Sequence, residues 1–334
     1  MDSTAITKDL KVAVNNKQIL SIALPITLAI LIPQINMLTN SIFLGDLSTE
    51  ALGNAGITGV FYLIFAVAGN GLNNALQAVF SRYAGSGDHA AFKTILAQGI
   101  RICLQFAVAG ILITWFIAPL ILEPIADEKS YALQISFLKI RILGLPFLFL
   151  FQMGNAFLVS TLNSRYLMIA FAFEAGINII LDFLLIKGRW GFPAMGFNGA
   201  AVASVIAEIS GFIVILVVLY RTGLKKQYSL MKSFVYDKVI TKKIINISVP
   251  LMLQYVLSVT TWLVFFMLIA SLHSDVYKAI SNTMRNVFGL AGIFVWAFAS
   301  TCNVMVSNLM GQQREELVIT AINKIVKLCM ILCV

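Results

Sequence analysis

The stretch ILSIALPITLAILIPQINMLTNSIFL, residues 19–44, decides the class of fold. Its 26 residues contain no charged side chain, whereas a helix needs roughly 20 apolar residues to cross the hydrocarbon core of a bilayer. The stretch follows Lys8, Lys11 and Lys17. It is too long to be the apolar core of a signal peptide, so we expect it to stay attached as the first membrane span.

The composition of the whole chain agrees with that assignment. Of its 334 residues, 59% are hydrophobic and 12% are charged, whereas soluble domains carry roughly 45–50% apolar and about 25% charged residues. Turn-forming and charged residues divide the chain into nine apolar segments. They cover residues 19–44, 51–80, 94–122, 132–160, 166–186, 198–220, 244–271, 276–308 and 317–334. We therefore predict an all-α fold, a polytopic transmembrane helical bundle.

Basic residues lie mainly between the apolar segments and predict the orientation of the chain. Lysines and arginines in short loops tend to stay cytoplasmic, and alternate loops carry fourteen against four of them. The richer side holds the N-terminus and a linker with Arg221, Lys225, Lys226, Lys232, Lys238, Lys242 and Lys243. We expect a cytoplasmic N-terminus, a plasma (inner) membrane location and no nucleic-acid partner. The linker is expected to be solvated or to contact anionic membrane lipid.

An internal repeat relates the two parts of the chain. Pro25 in ALPITLAILIPQ aligns with Pro250 in SVPLMLQYVLSV, and Gly85 in SRYAGSGDHAAF aligns with Gly311 in SNLMGQQREELV. The two offsets, 225 and 226 residues, are almost equal. Many secondary transporters are built from such duplicated bundles, with the substrate path between them. The sequence therefore predicts a two-lobe transporter fold.

The repeat also predicts the domain organisation. Residues 1–18 form a cytoplasmic tail, 19–220 an N-lobe of six transmembrane helices, 221–243 the basic cytoplasmic linker, and 244–334 a partial C-lobe of about three helices. By the same offset, a complete C-lobe would end at about residue 445. We therefore expect the C-lobe to be truncated.

Several polar side chains fall inside the predicted spans, where ionisable groups are costly and mark functional sites by default. Glu174, Asn178 and Asp182 are four residues apart and share one helix face. At about 1.5 Å rise per residue, Asn40, Asp182 and Ser204 all lie roughly 7–9 Å below the outer surface. We predict a cation site at these five residues, with Na⁺ held by Asp182, Asn178 and Ser204 if sodium is the ion.

Other interpretations of the polar residues stay open. Asn40, Asn178 and Ser204 are equally suited to hydrogen bonds across packed helices. The further residues expected either to line a cavity or, in part, to bond neighbouring helices are Asn36, Asn70, Asn74, Gln77 and Glu208. Lys139 and Arg141 are expected to extend to the membrane surface.

Motifs for other chemistry are missing from the sequence. Only two histidines occur, His89 and His273, and no HExxH, GxSxG or phosphate-loop pattern is present. Zinc hydrolysis and ATP-driven transport are therefore not indicated. The four cysteines lie in apolar segments and form no CxxC pair. We expect no enzyme activity and no cofactor beyond a coupling ion, H⁺ or Na⁺.

Four stretches carry a family resemblance. They are INMLTNSIFLGDLSTEALG from Ile35, SRYAGSGDHAAF from Ser81, STLNSRYLM from Ser160, and INIILDFLLIKG followed by GFNGAAVAS from Ile177. Together they resemble the multidrug and toxic compound extrusion (MATE) family. The resemblance implies twelve spans in two six-helix lobes, and a cation-coupled antiporter that exports amphipathic organic cations and other drugs. It implies small-molecule substrates and, for this chain, a monomer.

The resemblance also implies a set of site residues. In one branch of the family, an acid of the first span, an Asn and an Asp of the fifth, and a hydroxyl of the sixth bind the cation. The matching positions are Asn40, Asn178, Asp182 and Ser204. Asn40 departs from the pattern because an amide carries no charge, which leaves a paired-carboxylate mechanism without one of its acids. Two alternatives stay open: a flippase of related fold for lipid-linked oligosaccharides, and an inactive truncated remnant.

Overall fold

Helices make up almost all of the structure. The computed structural model describes residues 10–88, 90–124, 127–224, 228, 235–271 and 275–333, and no β-strand occurs among them. The helices of the described residues are α1 (Asn16–Gly45), α2 (Thr49–Ser86), α3 (Ala90–Phe116), α4 (Ala118–Leu122), α5 (Glu128–Arg141), α6 (Leu145–Ser160), α7 (Arg165–Leu185), α8 (Phe197–Arg221), α9 (Lys238–Ser271), α10 (Asp275–Gly311) and α11 (Val318–Cys333). Single 3₁₀ turns lie at Ile142–Gly144, Arg189–Gly191 and Glu315–Leu317.

Eight helical segments among the described residues are long and apolar enough to cross a membrane. One of them, Glu128–Ser160, consists of α5 and α6 joined by the 3₁₀ turn at Ile142–Gly144. The ninth predicted span, 317–334, corresponds to α11, whose 16 residues extend about 24 Å. The predicted span 94–122 is divided between α3 and α4, and Pro119 begins the second piece. The prediction of a multi-pass helical membrane protein is confirmed.

Local sequence sets several helix ends. Ser48 accepts a hydrogen bond from the backbone N–H of Ala51 at 2.9 Å and begins α2, and Gly87, with φ of 75°, ends it. Asp127 begins α5 in the same way by accepting from the backbone N–H of Ser130 at 3.2 Å. Hydrogen bonding to Ser130 lowers the pKa of the Asp127 carboxyl, because it stabilises the charged form.

The repeat residues Gly85 and Gly311 lie where the two halves of the chain touch. A Cβ atom at Gly85 would clash with the carbonyl oxygen of Asn308, and one at Gly311 would clash with that of Arg82. Arg82 and Asn308 are separated by 226 residues, as are the two glycines. A reciprocal contact of this kind is what a two-fold relation between two copies produces. The ends of α2 and α10 are therefore closed against each other.

The chain before α1 and the linker both pack against the helices. The backbone N–H of Val12 donates to Asn308 Oδ1, and Asn308 Nδ2 donates to the carbonyl of Leu10, both at 3.0 Å. Tyr228 of the linker stacks on Phe92 with ring centroids 4.9 Å apart, and burial raises the pKa of Tyr228 to about 12. This tyrosine is buried and not solvated. Other residues of the sequence predictions lie outside the described part of the chain, namely Lys8, His89, Lys225, Lys226, Lys232 and His273.

Candidate functional site

A cavity of about 300 Å³ lies within the N-terminal helices, between α1, α2, α5, α7 and α8. Its polar lining consists of Asn36, Asn40, Ser41, Tyr62, Arg141, Glu174, Asn178, Ser204 and Glu208. We divide most of these residues into two groups. Asn40, Asn178 and Ser204 form the amide cluster, and Tyr62, Arg141, Glu174 and Glu208 form the ionic cluster.

The amide cluster joins three helices at one depth. Asn40 Nδ2 on α1 donates to Asn178 Oδ1 on α7 at 3.3 Å, and Asn178 Nδ2 donates to Ser204 Oγ on α8 at 3.4 Å. The sequence predicts a common depth for Asn40 and Ser204, together with Asp182, and the structure links the first two through Asn178. Asn40 Oδ1 is buried and has no hydrogen-bond partner in the described part of the chain. Part of the cluster is therefore left to accept a bond or to coordinate an ion.

Asp182 lies one helical turn from Asn178 on α7 and is fully buried. Neither of its carboxylate oxygens has a hydrogen-bond partner among the described residues. Of the three residues expected to hold Na⁺, the structure bonds Asn178 to Ser204 but bonds Asp182 to neither. Because a buried carboxylate without a partner is costly, Asp182 is suited to take up a proton or a metal cation.

The ionic cluster contains a buried ion pair. Arg141 Nη2 donates to Glu208 Oε1 at 2.6 Å, and the Tyr62 hydroxyl donates to the same oxygen at 2.8 Å. The guanidinium carbon of Arg141 lies 3.7 Å from the centroid of the Tyr62 ring, within the range of a cation–π interaction. The Arg141 and Glu208 side chains are 15% and 4% exposed. These contacts fix α2, α5 and α8 to one another.

The expectation that Arg141 extends to the membrane surface is wrong. Its side chain turns inward because Glu208 and Tyr62 compensate for the lost hydration, whereas Lys139 on the same helix is exposed. Gly144, in the 3₁₀ turn, leaves the space that the Glu208 carboxylate needs, because a Cβ atom at this position would clash with Glu208 Oε2. Depth could have revealed the pair. Arg141 and Glu208 each lie nine or ten residues, roughly 14–15 Å, from the outer end of their predicted spans, and opposite charges within a membrane pair with one another.

Glu174 completes the ionic cluster from α7. It lies one turn before Asn178, lines the same cavity and is half-buried. It is close enough to Arg141 and Glu208 for their charges to act on it. Gly211 lets α8 approach at this point, because a Cβ atom there would lie 3.3 Å from the Glu174 Cβ. The cavity wall therefore holds two carboxylates and one guanidinium.

Three residues expected to line a cavity do not line this one. They lie on α2 and bond the neighbouring helices, which was the alternative that the sequence left open. The bonds are Asn74 Nδ2 to the Tyr255 hydroxyl at 2.6 Å, Gln77 Nε2 to Ser300 O and Oγ at 3.0 Å, and Gln152 Nε2 to Asn70 Oδ1 at 3.0 Å. Asn36 and Glu208 do line the cavity. The polar face of α2 thus holds the bundle together.

Known proteins similar to this chain are membrane transporters. The sequence profile of the MatE family matches residues 25–184. The probable multidrug resistance protein NorM of Synechocystis sp. is 23% identical over 89% of this chain and 64% of its own length. The FAD transporter of Shewanella oneidensis is 30% identical over 54% of this chain and 41% of its own length. The chain thus spans less than two thirds of the length of these two relatives.

Solved structures agree with the sequence relatives on the fold. An outward-facing multidrug resistance MATE family transporter of the MOP superfamily superposes with a TM-score of 0.84 at 18% identity, over 98% of this chain and 72% of that one. A MATE transporter in a bent conformation gives 0.82 at 20% identity, over 98% and 72%. Taken together, residues 25–184 match the MatE family profile, and the structural likenesses show that the chain has the helical fold of MATE family transporters.

Proposed function

We propose that the protein is a cation-coupled antiporter that exports small amphipathic organic cations across the plasma (inner) membrane. Asp182 takes up the incoming ion, H⁺ or Na⁺, and Asn178, Ser204 and Asn40 supply the neighbouring oxygen atoms. The observation that carries the proposal is the Asp182 carboxylate, fully buried and without a hydrogen-bond partner in the described residues. In this proposal the protein acts as a monomer surrounded by membrane lipid, with its N-terminus in the cytoplasm.

The described contacts support an alternating cycle. With a cytoplasmic N-terminus, the contact between Gly85 and Asn308 lies at the cytoplasmic ends of α2 and α10, and the amide cluster lies toward the outer face. This arrangement is closed on the inside. An ion that binds Asp182 drives export only if it stabilises one conformation more than the other. We infer that the ion stabilises the conformation that excludes cargo.

The prolines of α1 offer a place where that change could act. Pro25 and Pro33 lie inside the helix, and each removes a backbone hydrogen bond and loosens the helix locally. Pro33 lines the cavity, and Asn36 and Asn40 follow it along the same helix. Bending at Pro33 would change the distance between Asn40 and Asn178, and with it the shell around the ion.

The charge of the cavity favours positively charged cargo. Glu174 and Glu208 face a single guanidinium, that of Arg141, and Asp182 adds a third carboxylate nearby. Like charges repel an anion from such a site. FAD, the cargo named for one relative, is anionic and therefore serves as a contrasting test compound.

Dye efflux from proteoliposomes tests the proposal. Vesicles that hold the chain are loaded with a fluorescent organic cation and given a Na⁺ or H⁺ gradient, and efflux is followed for the wild type, Asp182→Asn and Asp46→Asn. Asp46 is an exposed acid at the outer end of α1, so its variant is the matched control. We expect gradient-driven efflux from the wild type and the control, and none above the protein-free background from Asp182→Asn. Undiminished efflux by Asp182→Asn would reject the assigned role.

A further inference from the structure

The ionic cluster has a charge imbalance that the proposed role of Asp182 does not use. Among the described residues that line the cavity, Arg141 is the only cation, whereas Glu174 and Glu208 are both carboxylates. We propose that Glu174 and Glu208 together hold one proton beside Arg141, forming a second proton-binding site separate from Asp182. The inference rests on the proposed cation coupling for its place in transport, but its test does not require transport.

The ion pair of Arg141 and Glu208 leaves one oxygen and one nitrogen without a hydrogen-bond partner among the described residues. Glu208 Oε1 already accepts from both Arg141 Nη2 and the Tyr62 hydroxyl. Glu208 Oε2 and Arg141 Nη1 are buried and have no hydrogen-bond partner in the described part of the chain. Since Glu208 is 4% exposed, its second oxygen has little access to bulk water. One oxygen of the Glu208 carboxylate is therefore fully hydrogen-bonded, and the other can still take up a proton.

The described groups around the ion pair supply no second positive charge. The charged or titratable groups near the ion pair are Tyr62 on α2, Arg141 on α5, and Glu174 and Asp182 on α7. Helix α1 contributes the neutral Asn36 and Asn40. Helix α6 contains no titratable residue. Arg141 therefore balances only one of the two cavity carboxylates. Uncompensated charge is unfavourable in a buried site, and one bound proton removes it.

The charge of the ionic cluster links the bound proton to the cargo. With its proton, the ionic cluster is neutral, and it regains one negative charge when the proton leaves. A monovalent organic cation in the cavity can then balance that charge. Proton and cargo thus compete for one negative charge, which gives an exchange of one proton for one monovalent cation at this site.

Infrared difference spectroscopy on the purified chain tests the inference through the C=O stretching band of protonated carboxylic acids. The measurements are made at neutral pH in an Asp182→Asn background, which removes the signal of that residue. We expect the band to persist there, and to be lost when either Glu174→Gln or Glu208→Gln is added, because one carboxylate and Arg141 then balance. Glu128→Gln, at an exposed position of α5, is the matched control and should leave the band unchanged.

The reverse variant sharpens the same test. Arg141→Gln removes the one positive charge among the described residues of the cavity lining, so the band should about double as both carboxylates become protonated. If that variant does not fold, the two glutamate variants still decide, since Glu174 makes no hydrogen bond to another described residue that its replacement would break. A missing band in the Asp182→Asn chain, or a band that survives in either glutamate variant, would overturn the inference. Neither outcome depends on whether the vesicles show efflux, so failure of the proposed function is recognised separately.

Discussion

The contact surface between the two halves and the cavity of the N-terminal helices use the same polar residue types in different ways. Asn74 and Gln77 bond side chains or backbone on α9 and α10. In the cavity, Asn40 and Glu208 each keep one buried oxygen without a partner among the described residues. Buried polar groups are normally satisfied, so these two oxygens are available to accept a bond from a ligand in the cavity.

Glycines on α2 show the same contrast. A Cβ atom at Gly85 would coincide with a backbone oxygen of α10, whereas one at Gly59, which lines the cavity, would meet nothing within 4 Å. The two halves are therefore in close backbone contact at Gly85, and the cavity has spare room at Gly59. Packing without voids leaves a contact surface little freedom to adapt, whereas the cavity can accept both ions and side chains.

The largest loss of stability is expected at the ion pair of Arg141 and Glu208, where one carboxylate oxygen is hydrogen-bonded and the other has no partner among the described residues. Arg141→Gln leaves Glu208 buried without its counter-charge, and removing one partner of a buried pair costs about 3–5 kcal/mol. Thermal unfolding in detergent should show this loss as a melting temperature below that of the wild type. The double variant Arg141→Gln/Glu208→Gln should recover most of the stability. Equal losses in the single and double variants would contradict the pairing.

A second test compares the two glycines of α2. Gly85→Ala forces a methyl group onto the carbonyl of Asn308, and such overpacking costs about 1–3 kcal/mol. Gly59→Ala adds the same methyl group in open space and is the matched control. It should be neutral or stabilising by up to about 1 kcal/mol, since alanine is the better helix former. Unfolding midpoints of the two variants check the prediction, and equal midpoints would mean that the halves are not closely packed at Gly85.

A third test exchanges polar side chains of the two regions for leucine. Gln77→Leu breaks the bonds to Ser300, and hydrogen bonds between membrane helices contribute about 0.6–1.7 kcal/mol. Asn178→Leu should cost less stability without the ion, because its bonds at 3.3 and 3.4 Å are long. It should, however, remove any stabilisation that added Na⁺ or acid gives the wild type. Melting curves with and without the ion separate the two effects. The reverse pattern would assign Asn178 to packing.

How far the sequence could anticipate these regions differs between fold and site. Long uncharged segments are sufficient to predict membrane helices, and constant rise per residue predicts one depth for Asn40, Asp182 and Ser204. The partner of a polar side chain depends on which helices become neighbours, and a single sequence does not contain that information. For Asn74 and Gln77 the sequence therefore leaves cavity lining and helix-to-helix hydrogen bonding both open, and it predicts a surface position for Arg141. Only the packed bundle shows that the first two bond α9 and α10 and that the third pairs with Glu208.

The smallest effect is expected at Ser204, the hydroxyl end of the amide cluster. Ser204→Ala removes one oxygen from the proposed ion shell, a loss of about 1 kcal/mol, which corresponds to roughly fivefold weaker binding. Ser204→Thr keeps the hydroxyl and should bind the ion as the wild type does. The readout is the rise in melting temperature with added Na⁺, since a ligand that binds only the folded state stabilises it. Identical shifts for the alanine and threonine variants would remove Ser204 from the site. Absence of a shift in the wild type, with a shift on acidification instead, would identify the proton as the ion at Asp182.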